Sequence, residues 1–304
     1  MELIITLNNK EEDIIMGDYV LVCDSTADIP VAVAKDLGVR IIPFSYSIDD
    51  VPFSYYLDER DGDIKDFYDK LRGGAMPVTS QVNPNIYKDY FVDIMKEGKD
   101  VIYMCFSSGL SGSYQSAMLG ADMAMESHPD NKVVVIDTLA ASVGEGILMY
   151  LTSKLKNDGM NMDDMVAWIE ENKTKIRHWF LVEDLFHLNR GGRLSAVSAV
   201  VGSALKIKPI LTIDEEGKLV VKAKTRGVGK ALDHLLQKTI EEGGDLSSLI
   251  VVIGNADAIE NAEKLKSMVM EAGIKEENIM IASIGPIIGA HVGAGMTAIG
   301  FMMP

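Results

Sequence analysis

Continuous apolar runs alternate with amphipathic stretches along most of this chain. Runs 19–23, 101–106 and 133–136 are apolar at consecutive positions, which is the pattern of parallel strands buried on both faces. Amphipathic stretches such as 64–72 lie between them and predict surface helices. The alternation therefore predicts an α/β fold whose N-terminal part is an α/β/α domain with a parallel sheet.

The pattern changes near residue 160. Two strand-like segments, 208–213 and 219–224, flank an acidic turn that contains Gly217, which predicts an antiparallel hairpin. Further helices and strands surround this hairpin, including a helix over 196–204. The second half therefore predicts an α+β domain with an antiparallel or mixed sheet.

These two patterns divide the chain into three parts. Residues 1–18 form an N-terminal extension to which we assign no role, residues 19–160 the α/β domain, and residues 161–304 the α+β domain. The acidic and aromatic stretch 45–62 is predicted to be irregular. Open parallel sheets bind ligands at the carboxyl ends of their strands, so we expect polar residues there to matter most.

Turns that carry hydroxyl groups follow several of the predicted strands. The Ser-rich turn 107–113 lies between a strand and a helix, with Ser111 as the predicted N-cap. Free backbone N–H groups at such a helix start can bind a phosphate or a carboxylate. Three other turns have the same character: 24–26, 79–81 and 285–293. If they converge on one pocket, they bind a small anionic head group; otherwise each hydroxyl merely caps a helix.

Composition disfavours several classes of partner. The net charge is −16, with 29 Lys and Arg against 45 Asp and Glu, which opposes binding to nucleic acid and to anionic membranes. The two cysteines lie in apolar runs, as expected for reduced core thiols. No apolar run has the length of a membrane span, and no basic signal peptide is present, so we expect a cytoplasmic protein without stable membrane insertion.

Common catalytic motifs are missing from the sequence. It has no Gly-x-Ser-x-Gly elbow, no glycine-rich phosphate motif and no cluster of metal ligands, so we expect neither a metal nor a cofactor. His291 lies among glycines, where its imidazole either contacts a ligand carboxylate or simply occupies a turn. Arg190 and Arg193 either clamp an anion or form surface ion pairs.

Taken together, the polar motifs resemble those of the DegV family. The resemblance spans residues 19 to 304 and rests on the order of several motifs along the chain. These motifs are Asp24-Ser25-Thr26, Thr79-Ser80-Gln81, the Ser-rich turn 107–114, Asp137-Thr138, the segment from Arg190 to Ser195, Lys208-Pro209-Ile210 and 285–295.

The resemblance implies that the protein binds one long-chain fatty acid in a tunnel between or within its two domains. It implies that Thr79, Ser111 and His291 bind the carboxylate, with Ser80 and Ser108 as further ligand-binding candidates in the same motifs. The bound fatty acid is the only ligand that it implies.

The resemblance also implies a protein partner. In bacteria, relatives present the fatty acid to a separate kinase subunit, which uses ATP to make an acyl phosphate for phospholipid synthesis. We link Arg190 to this fatty acid kinase. The chain would then be a lipid-binding protein without catalytic activity of its own. The rival hypotheses are a stand-alone hydrolase or phosphotransferase, and a regulatory protein that senses lipid.

Overall fold

The structure, a computed structural model, describes residues 18–58, 62–194 and 207–304. The strands are β1 (Tyr19–Asp24), β2 (Arg40–Ile42), β3 (Phe44–Ile48), β4 (Val51–Tyr55), β5 (Val78–Ser80), β6 (Asp100–Cys105), β7 (Val133–Asp137), β8 (Ile176–Leu181), β9 (Ile207–Ile213), β10 (Leu219–Arg226), β11 (Val251–Asn255), β12 (Ile279–Ser283) and β13 (Thr297–Met302). The helices are α1 (Val31–Asp36), α2 (Ile64–Arg72), α3 (Pro84–Met95), α4 (Ser113–Ser127), α5 (Ser142–Asn157), α6 (Met162–Asn172), α7 (Phe186–Arg190), α8 (Val228–Glu242), α9 (Ile259–Glu271) and α10 (Pro286–Val292). Among the described residues, no helix is both long enough and apolar enough to cross a membrane.

The first sheet contains four parallel strands in the order β2–β1–β6–β7. All residues of β1 are buried. Its side chains are apolar on both faces from Tyr19 to Cys23, as expected for a parallel strand that is covered on both sides. Helices α3 and α4 pack against each other and against β6, and α6 packs against β7. The predicted parallel sheet with its helices is confirmed.

The second sheet contains six strands in the order β10–β9–β8–β13–β11–β12. Only β11 and β12 are parallel to each other, so the sheet is mixed, as predicted, and β9 and β10 form the predicted hairpin. Side chains alternate across β8: Trp179 and Leu181 pack with α8 and α9, whereas Phe180 joins the core that contains α5. Helix α5 therefore connects the second sheet to the core of the first.

Two strands of a third sheet, β4–β3–β5, occupy the stretch 45–62 that we predicted to be irregular, namely β3 and β4. That prediction was wrong. Phe44, Tyr46 and Ile48 alternate with serines and are buried, and a two-residue turn at Asp49 and Asp50 joins β3 to β4. Both aspartates have positive φ angles, 50° and 63°, as a tight hairpin turn requires.

Two predicted turns are also regular elements. Thr79 and Ser80 lie on β5, which pairs antiparallel with β3. Residues 286–292 form α10, because Pro286 is placed at the helix start and Gly289 packs closely against Tyr68. Gly289 thus permits close packing of a helix, where we predicted a turn over 285–293.

The predicted N-cap of α4 was misplaced. A separate turn precedes the helix, in which the N–H groups of Leu110 and Ser111 donate to the Ser107 carbonyl. The helix therefore begins only at Ser113, and its N-cap is Gly112, where we predicted Ser111. The predicted helix over 196–204, and the predicted N-terminal extension apart from Asp18, lie outside the described residues. The domain boundary at 160 stays a prediction.

Candidate functional site

A largely apolar cavity lies beside β8 and β13 and contains about 910 Å³ of atom-free space, part of which is open to solvent. Helices and loops from both halves of the chain line it. The main apolar residues of its wall are Phe106, Leu110, Val143, Phe180, Leu188, Ile213, Leu219, Ile288, Val292, Met296 and Ala298. The cavity therefore suits a long hydrocarbon ligand.

Thr79 and His291 meet at the wall of this cavity. Thr79 lies on β5, and His291 lies on the last turn of α10. The Oγ1 atom of Thr79 is 2.9 Å from Nε2 of His291, which is hydrogen-bonding distance. Two residues that are more than 200 positions apart in sequence thus share one hydrogen bond at the cavity wall.

His291 is neutral at physiological pH. Burial lowers the pKa of its imidazole to about 4, and the positive charges of Arg193 and Arg190 contribute to this shift. The Nδ1 atom is buried and has no hydrogen-bond partner among the described residues. Gly191 packs directly against this atom, since a Cβ on Gly191 would lie 2.3 Å from Nδ1. His291 therefore does not supply a positive charge, and Nε2, which meets Thr79, is the nitrogen left to hydrogen-bond a ligand.

Ser111 lines the same cavity from the Ser-rich loop. Its Oγ atom lies 2.9 Å from Oγ of Ser113 and accepts a bond from the Ser113 N–H at 3.2 Å. Three of the predicted ligand-binding residues, Thr79, Ser111 and His291, are therefore brought to one cavity, and Ser80 lines it too.

Two buried or partly buried aspartates hold the Ser-rich loop in place. The carboxylate of Asp24 accepts from the Phe106 N–H at 3.0 Å and from the Tyr103 hydroxyl at 2.8 Å. On the other side, Asp137 accepts from the Ser108 N–H at 3.1 Å. Among the described residues that line the cavity, neither Ser108 nor Asp24 is found. The hydrogen bonds of these two residues stabilise the Ser-rich loop.

Arg193, which the sequence offered with Arg190 either as an anion clamp or as a surface ion-pairing residue, lines the cavity. Its Nε donates to the Leu110 carbonyl at 3.1 Å and its Nη1 to the Gly191 carbonyl at 2.5 Å. Among the described lining residues it is the one with a full positive charge. The Arg190-Gly191-Gly192-Arg193 motif indicated an anion-binding arginine, but sequence spacing did not show which of its two arginines lines the cavity.

Arg190, predicted to contact a partner, lies on the exposed end of α7. Its Nη2 donates to the Pro77 carbonyl at 3.0 Å and to the Ala290 carbonyl at 3.4 Å. These bonds connect α7 to the segment before β5 and to α10. The partner role of Arg190 stays a prediction.

Three further polar residues of the wall were missed by sequence reasoning. Gln81 donates from Nε2 to the Gly112 carbonyl at 2.8 Å and to Ser116 Oγ at 2.5 Å, which joins β5 to the start of α4. Ser142 and His178 line the cavity at the start of α5 and on β8. Gln81 belongs to a motif that we recognised, whereas His178 lies in a strand with no motif around it.

Comparisons with known proteins agree on one family. The model of the family described as "Uncharacterised protein, DegV family" matches residues 19–303. A DegV domain-containing protein of Clostridium perfringens is 38% identical over 289 residues, which cover 94% of this chain and 98% of that protein. Both matches extend over nearly the whole chain.

Solved structures give the same result. A fatty acid binding DegV family protein from Streptococcus agalactiae is 31% identical, with a TM-score of 0.82 and coverage of 95% of this chain and 99% of that one. A DegV family protein from Thermus thermophilus, whose structure describes fatty acid binding, is 27% identical, with a TM-score of 0.84 and coverage of 94% and 100%. From its sequence matches and its fold, this chain belongs to the DegV family.

Proposed function

We propose that this protein binds a long-chain fatty acid, with the carboxylate at Thr79, Ser111 and His291 and the tail in the cavity. The observation that carries the proposal is the meeting of these three residues, from three separate segments, at a cavity whose wall is otherwise mainly apolar. The S. agalactiae and T. thermophilus proteins, described as binding fatty acids, support it.

The chemistry of the cavity fits the two parts of such a ligand. A buried carboxylate is costly unless hydrogen bonds and positive charge compensate it, and two hydroxyls, a neutral imidazole and Arg193 are available. Each buried CH₂ contributes about 0.8 kcal/mol, so a tail of about 16 carbons contributes roughly 10 kcal/mol before ordering costs. The tail would thus supply most of the affinity and the polar residues the orientation.

The proposal is tested by the lipid that the protein retains when it is purified without added fatty acid. We expect extraction and mass spectrometry to detect a fatty acid in near-stoichiometric amount. A second measurement uses Ala298→Phe, which places a bulky side chain in the cavity wall and should lower the lipid content if the lipid is bound in this cavity. A folded wild-type protein that neither carries nor takes up a fatty acid would refute the proposal.

We further propose that the protein presents this fatty acid to a separate ATP-dependent kinase subunit and is not catalytic alone. Ser80 and Gln81, beside the carboxylate-binding end, are exposed, so a partner can approach there. In the described residues, Nδ1 of His291 has no carboxylate partner, unlike the histidine of a hydrolase triad.

The kinase proposal is tested with the kinase subunit from the same genome, ATP and fatty acid. We expect acyl phosphate only when both proteins are present. Arg190→Ala should lower the rate of phosphate transfer more than it lowers fatty acid affinity, with Lys88→Ala, a substitution on α3, as the matched control. Equal rates for Arg190→Ala and wild type would contradict the partner role of Arg190.

A further inference from the structure

The backbone on both sides of Ser111 is held by side chains from other segments. The carbonyl of Leu110, directly before Ser111, accepts from Nε of Arg193 at 3.1 Å. The carbonyl of Gly112, directly after it, accepts from Nε2 of Gln81 at 2.8 Å. The orientation of Ser111 therefore depends on two side chains that lie outside the Ser-rich loop.

Gln81 uses both of its donor hydrogens at the start of α4. Besides the Gly112 carbonyl, its Nε2 atom bonds Oγ of Ser116 at 2.5 Å. A side-chain amide has two N–H donors, so neither remains for another acceptor. Its oxygen only accepts hydrogen bonds, so it does not bind an ionised carboxylate. Gln81 lines the cavity, but it is not equipped to hold the ligand carboxylate itself.

Helix α4 does not require the bonds from Gln81. The Gly112 carbonyl already accepts from the Ser116 N–H at 3.2 Å. The groups that lack partners at a helix start are N–H groups, which need acceptors, whereas Gln81 supplies donors. Gln81 is also exposed, and a single hydrogen bond of this kind contributes only about 1 kcal/mol to stability. What the two bonds do determine is where the segment after β5 lies relative to the Ser-rich loop.

This connection matters because the two ligand-binding hydroxyls belong to different sheets. Thr79 lies on β5 of the third sheet, and Ser111 lies in the loop after β6 of the first sheet. Hydroxyl groups bond oxygen over a narrow range, about 2.5–3.0 Å, so a site must hold its groups to within about 0.5 Å. Gln81 follows Thr79 by two residues and bonds the residue directly after Ser111. It therefore links the two hydroxyl-bearing segments close to both hydroxyls.

We propose that Gln81 is a positioning residue, which fixes the Ser111 hydroxyl relative to that of Thr79 so that both reach one carboxylate. Arg193 supports the other side of Ser111. The inference rests on the proposed binding of a fatty acid carboxylate at these residues. It adds a residue that acts on the carboxylate through Ser111 without touching it.

The experiment compares octadecanoic acid with octadecan-1-ol, which has the same tail but no carboxylate, in wild type and in Gln81→Met. Methionine has a similar length but no N–H donor. We expect the acid to bind about tenfold more weakly to the variant, whereas the affinity for the alcohol changes by at most about twofold. A general loss of structure would weaken both ligands alike. Gln115→Met, the same change at an exposed position on α4, is the matched control and should bind both ligands like wild type.

A double-substitution cycle tests whether Gln81 acts through Ser111. In a Ser111→Ala background, Gln81→Met should weaken binding of the acid by less than about twofold, because the hydroxyl that it positions is gone. Ser116→Ala removes one acceptor of Gln81 and leaves Gln81 itself in place. It should shift the ratio of the two affinities against the acid by about threefold.

Three results would refute the positioning role. They are equal weakening of acid and alcohol in Gln81→Met, a loss in the Ser111→Ala background as large as in wild type, and a wild-type ratio in Ser116→Ala. Circular dichroism checks that each variant is folded, and Ser116→Ala gives a decision even if Gln81→Met does not fold. Failure of wild type to bind octadecanoic acid would instead refute the proposed function.

Discussion

The hydrogen bond between Thr79 and His291 lies at the proposed carboxylate site, where the two side chains would have different roles. Because the imidazole is neutral, the charge of a bound carboxylate must be balanced elsewhere, and Arg193 is placed to do so. In the proposed complex, the hydroxyls of Thr79 and Ser111 determine where the two carboxylate oxygens lie. Single substitutions at these positions should therefore change affinity without changing the fold.

The double substitution Thr79→Ala with Ser111→Ala removes both hydroxyls. Hydrogen bonds to a charged group contribute about 1.5–3 kcal/mol each, so we expect octadecanoic acid to bind roughly 100-fold or more weakly. Titration calorimetry measures the affinity, and circular dichroism checks the fold. Ser108→Ala is the matched control, since the Ser108 contact in the structure is made by its backbone N–H. An unchanged affinity in the double variant would refute the carboxylate assignment.

Gly191→Ala tests the position of the imidazole. Gly191 has a helical conformation that alanine adopts without strain, but the new Cβ would lie 2.3 Å from Nδ1 of His291 and displace the ring. Loss of one hydrogen bond should weaken octadecanoic acid binding about tenfold, measured by the same titration. Gly229→Ala on α8 is the control, because its nearest contact would be Lys264 at 3.8 Å. If both variants bind like wild type, His291 does not hold the ligand.

The sequence indicated some of the residues that line the cavity and not others. Hydroxyl-bearing motifs indicated Thr79, Ser80 and Ser111, because such motifs are compact and occur in a recognisable order. Arg193 was not distinguished from Arg190, since only the folded loop decides which guanidinium turns towards the cavity. His178 had no local signal, because its place in the cavity wall depends on its register opposite Gly300 and on its packing against α5.

The hairpin β3–β4 shows how a short element can escape prediction. Its turn is Asp49-Asp50, whereas the strong sequence signal for a two-residue turn is Asn-Gly or Asp-Gly. Both aspartates nevertheless adopt positive φ angles, because a two-residue loop between the paired residues Ile48 and Val51 favours a type I′ turn. The hairpin matters to the site because β3 also pairs with β5, the strand that carries Thr79.

Asp50→Gly should stabilise the protein. Glycine adopts a positive φ without strain, and we expect a gain of about 0.5 kcal/mol in the free energy of unfolding, measured with a chemical denaturant. The control is Asp130→Gly in an exposed turn, because Asp130 is not one of the left-handed residues and glycine should lower stability there. Equal losses in the two variants would contradict the assigned turn.

The two halves of the molecule meet at a buried carboxyl group. Asp28 is 1% exposed; its Oδ2 accepts from the Ser142 hydroxyl at 2.6 Å and its Oδ1 from the Gly285 N–H at 2.8 Å. It therefore connects the start of α5 to the start of α10, the helix that carries His291. The sequence predicted the two sheets correctly but gave no sign of this contact, which joins residues more than 250 positions apart.

Asp28→Asn should alter the pH dependence of stability. Burial raises the pKa of Asp28 from 3.8 to about 7. Between about pH 4 and pH 7 the folded state therefore keeps a proton that the unfolded state has lost, so this residue makes the protein less stable as pH rises. Asparagine does not titrate, so the variant should gain on wild type by a few kcal/mol from about pH 5 to pH 8.

Thermal or denaturant unfolding of both proteins across this pH range measures the difference. Because the two chains share all other titrating groups, the comparison isolates Asp28, including from the opposite contributions of the buried histidines. A constant difference in stability across the range would show that Asp28 does not keep its proton in the folded state.

A crystal structure of this protein with octadecanoic acid tests the account as a whole. We predict carboxylate oxygens within about 3.2 Å of Thr79, Ser111 and His291, with the tail running along Phe180 and Ala298. A carboxylate bound away from these three residues, or a fatty acid bound outside this cavity, would contradict the account.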